Sequence, residues 1–193
     1  MVKSLKKLEK NLGYKLRTNV ACIGIDTATT TGIALVKLDS KVVCIKCDVF
    51  KLPSIPRKIA DQMEKAEKYE QAMDGALNLI RDYKRKIYIN PPSILVLEQS
   101  FLSINPETYG YLRSLGGIYY SELYDLFNEI KFYLPTVARK LVGFHSNLPR
   151  GTKTDQKKKE ICQWISNVVE EEIKDDNVAD ALLLAFAGLK RED

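Results

Sequence analysis

Two short apolar runs, each ending in a carboxylate, constrain this chain more than any other feature. They are VACIGID at residues 20–26 and ILVLE at residues 94–98. Runs of this length without polar alternation are typical of strands that are covered on both faces. In an open α/β sheet, the carboxyl ends of such strands meet at one edge, where binding crevices form. The pattern therefore predicts a sheet with Asp26 and Glu98 close together at that edge.

The remaining patterns complete an α/β fold. Residues 32–38 and 41–50 follow the first run directly and predict an antiparallel meander. Helical spacing or helix boundary signals occur at 57–84, 106–131, 154–172 and 176–189, and a short helix from Thr136 to Gly143 follows a strand at 132–134. We expect a mixed five-stranded sheet, an antiparallel meander followed by parallel strands, with helices on both faces. Residues 1–18 are predicted to form a basic arm before a single domain at 19–193.

Composition excludes several classes of function. A length of 193 residues suits one α/β domain, and four cysteines do not make a disulfide scaffold. A single histidine disfavours His-based metal sites and Ser-His-Asp catalysis. No apolar run approaches the roughly 18 to 20 residues that a membrane span requires, and the N-terminus has no secretory core. We therefore expect neither membrane insertion nor secretion.

A third carboxylate lies within an apolar helical segment. Asp180 shares a helix face with Leu183, Leu184 and Ala187. A lone carboxylate there would cost several kcal/mol in desolvation unless a cation or a proton compensates it. Oxygen ligands without nearby histidine suit hard divalent cations such as Mg²⁺ or Mn²⁺. Two such ions can activate water and stabilise the leaving oxygen of a phosphodiester without a protein nucleophile.

Charge is unevenly distributed around the formal total of +5. Residues 1–20 and 139–159 are strongly basic, whereas residues 170–180 are strongly acidic. Basic patches beside a carboxylate cluster indicate that a polyanion is held near an acidic site.

Three motifs, in this order, resemble those of the RuvC-type Holliday-junction resolvases, which belong to the RNase H-like nuclease superfamily. They are Gly24-Ile25-Asp26 with Thr31-Gly32, Leu97-Glu98-Gln99-Ser100-Phe101, and Asn177-Val178-Ala179-Asp180-Ala181-Leu182. The resemblance extends over residues 20–189. It implies an RNase H-like fold and a magnesium-dependent endonuclease that acts as a homodimer and nicks opposed strands of a four-way DNA junction. It also implies a location in the cytoplasm or wherever the recombining genome resides.

The same resemblance assigns roles to individual residues. Asp26, Glu98 and Asp180 match the acids that bind two Mg²⁺ ions, for which Mn²⁺ can substitute, and Asn177 and Asp176 are both candidates for a further catalytic ligand. Phe101 matches an aromatic residue near the junction centre. Helix 106–131 falls where the family dimerises. Arg139, Lys140 and Lys158 match the family's basic residues and are expected to contact DNA phosphates, and the basic stretch that contains them adds Lys153 and Lys157.

Three alternatives follow from the same residues. An RNase H-like nuclease could act on other branched DNA, on RNA or on hybrids, and a module that binds junctions without cutting them is also compatible with the basic patches. Gly24-Ile25-Asp26 followed by Thr29-Thr30-Thr31 resembles a phosphate-binding turn of sugar kinases and actin-like ATPases. Those proteins need two lobes and a second such turn, for which this chain has no room.

Overall fold

A six-stranded mixed sheet forms the centre of the protein. The computed structural model describes residues 1–52, 63–90, 92–100, 106–149 and 151–191. Across the sheet the strands are ordered β1-β4-β3-β2-β5-β6. Strands β1 to β4 pair antiparallel, whereas β5 and β6 run parallel to β2. The strands are β1 Val2–Ser4, β2 Val20–Asp26, β3 Thr30–Leu38, β4 Val42–Lys51, β5 Ser93–Glu98 and β6 Glu129–Tyr133.

The predicted α/β class is confirmed, with an antiparallel meander followed by parallel strands. The prediction of five strands omitted β1. Residues 2–4 pair with residues 42–44 of β4 and so extend the sheet at its edge. The helix that follows, α1 (Leu5–Leu12), buries Leu5, Leu8 and Leu12 in the core. The segment predicted as a separate basic arm is thus packed against the domain, because its leucines recur at helical spacing on one face.

The helices cover both faces of the sheet. Several predicted bounds differ from the structure. The helix predicted over 106–131 ends at Leu123, because β6 begins at Glu129, and the strand predicted at 132–134 is accordingly Glu129–Tyr133. The helix predicted over 154–172 ends at Val169, and the short helix predicted over 136–143 is Pro135–Leu141. Proline suits that first helical position because it has no N–H to satisfy. The prediction for 57–84 falls partly on residues 53–62, which lie outside the described residues. The other helices are α2 Lys65–Lys86, α3 Pro106–Leu123, α4 Pro135–Leu141, α5 Thr154–Val169 and α6 Asp176–Leu189.

Alternate residues of the central strands supply two hydrophobic cores. On one face, residues such as Cys22, Val36 and Val96 pack against α1, α5 and α6. On the other face, residues such as Ile23 and Leu97 pack against α2 and α3. This arrangement explains why β2 and β5 are apolar along nearly their whole length: both of their faces are covered.

Helix α6 lies unusually close to the sheet. A Cβ atom on Gly32 would lie 2.0 Å from the carbonyl oxygen of Asn177, and one on Gly24 would lie 2.2 Å from that of Ala181. No other residue could stand at these two positions without moving the helix. The glycines therefore allow the first turns of α6 to rest directly on β2 and β3, beside the end of β2.

None of the helices in the described ranges combines the length and apolar character needed to span a membrane.

Candidate metal centre

Asp26 and Glu98 lie next to each other at the carboxyl edge of the sheet. The parallel register pairs Ile25 with Leu97, so the next residue of each strand carries a carboxylate. Asp26 is only 8% exposed, and its carboxyl group is hydrogen-bonded to that of Glu98. The juxtaposition predicted from the two apolar runs is therefore present in the structure.

The first turn of α6 brings further acidic residues to this edge. Asp175 is the N-cap, and its side chain accepts hydrogen bonds from the backbone N–H groups of Asn177 and Val178. The Asn177 side-chain amide also donates to Asp175, at 3.0 Å. Asp180 and Asp176 are close enough to interact electrostatically with Asp26. Of the two candidates for a further ligand, Asp176 thus presents charge to the Asp26 site, and Asn177 hydrogen-bonds to the helix cap.

Burial and mutual repulsion raise the pKa values of these carboxyl groups. The pKa of Asp26 lies well above its ordinary value, chiefly because of burial, then because of its hydrogen bond to Glu98 and the charges of Glu98, Asp180 and Asp176. Burial also raises the pKa of Glu98 and that of Asp180. In the absence of a cation, the Asp26–Glu98 pair therefore holds a proton more readily than exposed carboxyl groups do.

Two basic side chains neutralise the acids of α6. The Arg139 guanidinium from α4 donates to Asp180 Oδ1 at 3.1 Å, and Lys158 Nζ from α5 lies 2.6 Å from Asp176 Oδ2. Both residues were predicted as DNA-phosphate contacts, and here they pair with carboxylates. Asp26 and Glu98 have no such ion pair within the described part of the chain. The two ion pairs therefore compensate the acids of α6, and the charge of Arg139 also opposes the rise in the pKa of Glu98.

The donor set suits a hard divalent cation, although the ligands are not arranged around one. Among the described residues, no group of three or more His, Cys, Asp or Glu side chains could hold a metal ion as placed. The ion pairs of Arg139 and Lys158 and the carboxyl–carboxyl bond of Asp26 occupy the oxygens that would be ligands. The Thr27 hydroxyl, adjacent to Asp26, is buried without a hydrogen-bond partner among the described residues. Buried oxygen donors with uncompensated charge are what Mg²⁺ or Mn²⁺ would bind.

A hydrogen bond across the core supports the turn that follows Asp26. The Thr31 hydroxyl donates to the Ala28 carbonyl oxygen at 2.6 Å and lies 2.9 Å from the hydroxyl of Tyr119 on α3. Thr31 and Tyr119 are both fully buried. Since the Thr31 hydroxyl has one proton and gives it to Ala28, Tyr119 is the donor in the second bond. The β2–β3 turn is thereby tied to α3 next to the acidic site.

Among the described residues, the other lysines predicted to contact DNA are not paired with the acids. Lys140, Lys153 and Lys157 are exposed on α4 or at the start of α5. Phe101 lies outside the described residues. The structure therefore gives these lysines access to a ligand but does not pair them with the acids.

A cleft adjoins Glu98 on the side of α3. It has a volume of about 340 Å³ and is lined by Glu98, Gln99, Ser100, Tyr109, Arg113, Gly116, Gly117, Tyr120 and Phe132. Tyr120 and Phe132 lie with ring centroids 5.9 Å apart and remain 41% and 49% exposed. The acidic edge thus opens towards an exposed aromatic surface.

Comparison with solved structures places this architecture among known folds. Thermus thermophilus RuvC in complex with a Holliday junction substrate aligns with a TM-score of 0.59 at 12% identity, over 86% of this chain and 91% of that one. The chain has the RuvC fold. A second T. thermophilus RuvC structure aligns with a TM-score of 0.55 at 16% identity, over 86% of this chain and 92% of that one. The yeast mitochondrial Holliday junction resolvase Ydc2 aligns with a TM-score of 0.54 at 14% identity, over 93% of this chain and 82% of that one. No protein-family model and no curated protein matches the sequence.

Sequence reasoning missed the partners that support the acids. Neither the Arg139–Asp180 pair nor the Tyr119–Thr31 bond has a local signal, because each joins residues far apart in the chain. One signal was available for the cap: Asp175 lies just before a helix that becomes apolar from Val178, and aspartate is typical of an N-cap.

The raised pKa values predict how stability depends on pH. Between the ordinary pKa of a carboxyl group, near 4, and its raised folded value, the folded state binds more protons than the unfolded state. The free energy of unfolding must therefore fall as pH rises through that interval, by about 1.4 kcal/mol for each unit of raised pKa. Urea titrations in EDTA should show this fall in the wild type and a flatter profile in Asp26→Asn. Asp74→Asn, which removes an exposed carboxylate on α2, should retain the wild-type slope. Equal slopes in all three proteins would contradict the assignment.

Two tyrosines offer a matched test of the turn's support. Tyr119→Phe should lower the free energy of unfolding by about 1 kcal/mol, since it removes a buried hydrogen bond. Tyr83→Phe should be neutral, because the Tyr83 hydroxyl is buried without a partner among the described residues. Urea denaturation of both variants measures the difference. Equal effects would mean that the Tyr119 hydroxyl contributes nothing to holding the turn.

Proposed function

We propose that this protein is a magnesium-dependent endonuclease that cuts four-way DNA junctions. The observation that carries the proposal is the convergence of Asp26, Glu98, Asp176 and Asp180 at one edge of a RuvC fold, with burial that leaves their charge incompletely compensated. A protein that only binds DNA gains nothing from negative charge beside the phosphates. Two similar structures are described as Holliday-junction proteins, one in complex with its substrate and one as a resolvase. This supports the choice of substrate.

Asp26, Glu98 and Asp180 would hold two Mg²⁺ ions, with Asp176 or Asn177 as the further ligand and Mn²⁺ as a substitute. Bound there, such ions supply activation of a water and stabilisation of the leaving oxygen. The strands and α6 fix the carboxylates, so the protein contributes position and a site with little water. No histidine is required for this chemistry.

Arg139 and Lys158 act on the substrate once the acids have other partners. Carboxylates that ligate cations no longer need these two residues, and both side chains are then available for phosphate oxygens. The Arg139 Nε is buried without a hydrogen-bond partner among the described residues. This N–H group is therefore a further donor that could bind a phosphate oxygen. Lys140, Lys153 and Lys157 extend the basic surface outward, and Phe101 would stack at the junction centre.

A homodimer would bring two such sites to opposed strands of one junction. The helix predicted for this contact corresponds to α3 and the 3-10 turn after it. Tyr120 and Tyr124 stack there with ring centroids 5.9 Å apart, and Tyr124 is 54% exposed. An exposed aromatic cluster beside a helix supports self-association, because a monomer would leave this apolar area in water.

The decisive variants remove one charge from the acids. Asp26→Asn and Asp180→Asn should each lower Mg²⁺-dependent cleavage of a four-way junction by at least about a thousandfold. Each change removes a charged group that stabilises the transition state electrostatically. Junction affinity without metal should be equal or higher, since neither change adds negative charge near the phosphates and Asp180→Asn frees Arg139 from its ion pair. Asp74→Asn should cleave like the wild type.

A panel of substrates separates the alternatives. Junctions, flaps, duplexes, RNA and hybrids should be compared under the same conditions, with cuts mapped on all strands. Paired nicks on opposed strands of the junction are expected. Faster cleavage of hybrids or flaps would replace the proposed substrate, and tight junction binding without any cleavage would make the protein a binding module.

A further inference from the structure

A basic pocket lies at the end of the sheet opposite the acids. It has a volume of about 250 Å³ and is lined by Arg17, Glu129, Lys131, Lys190 and Arg191. Four of these five side chains are cationic. Glu129 is the first residue of β6, Arg17 precedes β2, and Lys190 and Arg191 follow the end of α6. Three separate parts of the fold thus deliver positive charge to one depression.

The cations of this pocket are held in place by specific contacts. Arg17 and Lys131 both pair with Glu129, at 2.5 Å and 2.9 Å. Lys190 Nζ donates to the Leu141 carbonyl oxygen at 3.0 Å and lies 5.0 Å from the centre of the Tyr14 ring. Among the described residues the lining has one carboxylate and four cations, so this lining carries a net positive charge.

The pocket is connected to the acidic site by helix α4. Arg139 contacts Asp180 at the acids, Lys140 is exposed next to it, and the carbonyl of Leu141 binds Lys190 at the pocket. Along the sheet, Tyr133 pairs with Glu98 and Glu129 pairs with Ile94. Four residues of strand correspond to about 13 Å. Helix α4 and strand β6 therefore both extend from the acids to the pocket.

We propose that this pocket binds a phosphate of the duplex arm that extends away from the acids. The proposal rests on the proposed function and adds a contact to it. A distance of about 13 Å spans roughly four base pairs at 3.4 Å each. No aromatic side chain lines the pocket within the described residues, so the contact is to backbone phosphate and not to a base. Such a contact positions an arm and makes affinity dependent on salt, without sequence preference.

The test compares two double variants that remove the same charge. Lys131→Gln with Arg191→Gln should weaken metal-free binding of a four-way junction about tenfold and reduce the slope of log affinity against log salt by about 2. Lys41→Gln with Lys46→Gln, next to and on β4 towards the opposite edge of the sheet, should change affinity less than twofold. Lys131→Arg with Arg191→Lys should bind like the wild type, which separates loss of charge from loss of fold. Equal weakening by both glutamine pairs would overturn the proposal.

Replacing single DNA phosphates by an uncharged analogue shows which phosphate contacts the pocket. A methylphosphonate placed at successive positions along one arm should weaken wild-type binding at a position roughly four base pairs from the cut. The same substitution should have no further effect on Lys131→Gln with Arg191→Gln. If the methylphosphonate weakens binding of the double variant as much as binding of the wild type at every position, the proposal is overturned. Wild-type cleavage of the unmodified junction is measured in parallel. If the junction is cut but the pocket variants bind it like the wild type, only the proposed phosphate contact is refuted. If the pocket variants weaken binding but no cleavage occurs, the proposed nuclease activity is refuted and the phosphate contact is retained.

Discussion

Repulsion among carboxylates that are wholly or partly buried is the interaction on which the organisation of this site depends. Asp26, Glu98 and Asp180 are drawn together by strands and a helix whose apolar residues must be buried, and the fold gives their charges little access to water. The protein compensates in two ways: Arg139 pairs with Asp180, and the pKa of Asp26 is raised by burial and by the neighbouring Glu98, which favours its protonated form. Both arrangements reduce the uncompensated negative charge, and burial of such a charge costs several kcal/mol.

Close packing of α6 makes that concentration of charge possible. Gly24 and Gly32 allow the helix backbone to touch the sheet, and a methyl group at either position would displace it. Asp180 is consequently positioned by contacts between backbones, which are stiffer than contacts between side chains. The turn after Asp26 is held from the other face by Tyr119, so both layers of helices determine where the acids lie.

The parts of the fold that follow from local patterns could be predicted. The apolar runs ending at Asp26 and Glu98 predict buried strands, and helix α6 was predicted with the bounds that the structure has. The edge strand β1 was missed because three residues carry too little periodicity, and its pairing with β4 joins distant parts of the chain. The acids could be proposed because a carboxylate in an apolar run is improbable without compensation. Their partners Arg139 and Lys158 could not, since a charge on a helix surface is compatible with solvent, phosphate or carboxylate alike.

The central claim is that divalent cations can replace the basic side chains as partners of these acids. Crystals of the protein soaked in Mn²⁺ test it directly, because anomalous scattering locates the ion without reference to any other density. The account predicts manganese peaks bounded by Asp26, Glu98 and Asp180, with Arg139 withdrawn from Asp180. Crystals in which the acids keep their present partners and no manganese lies among them would contradict it.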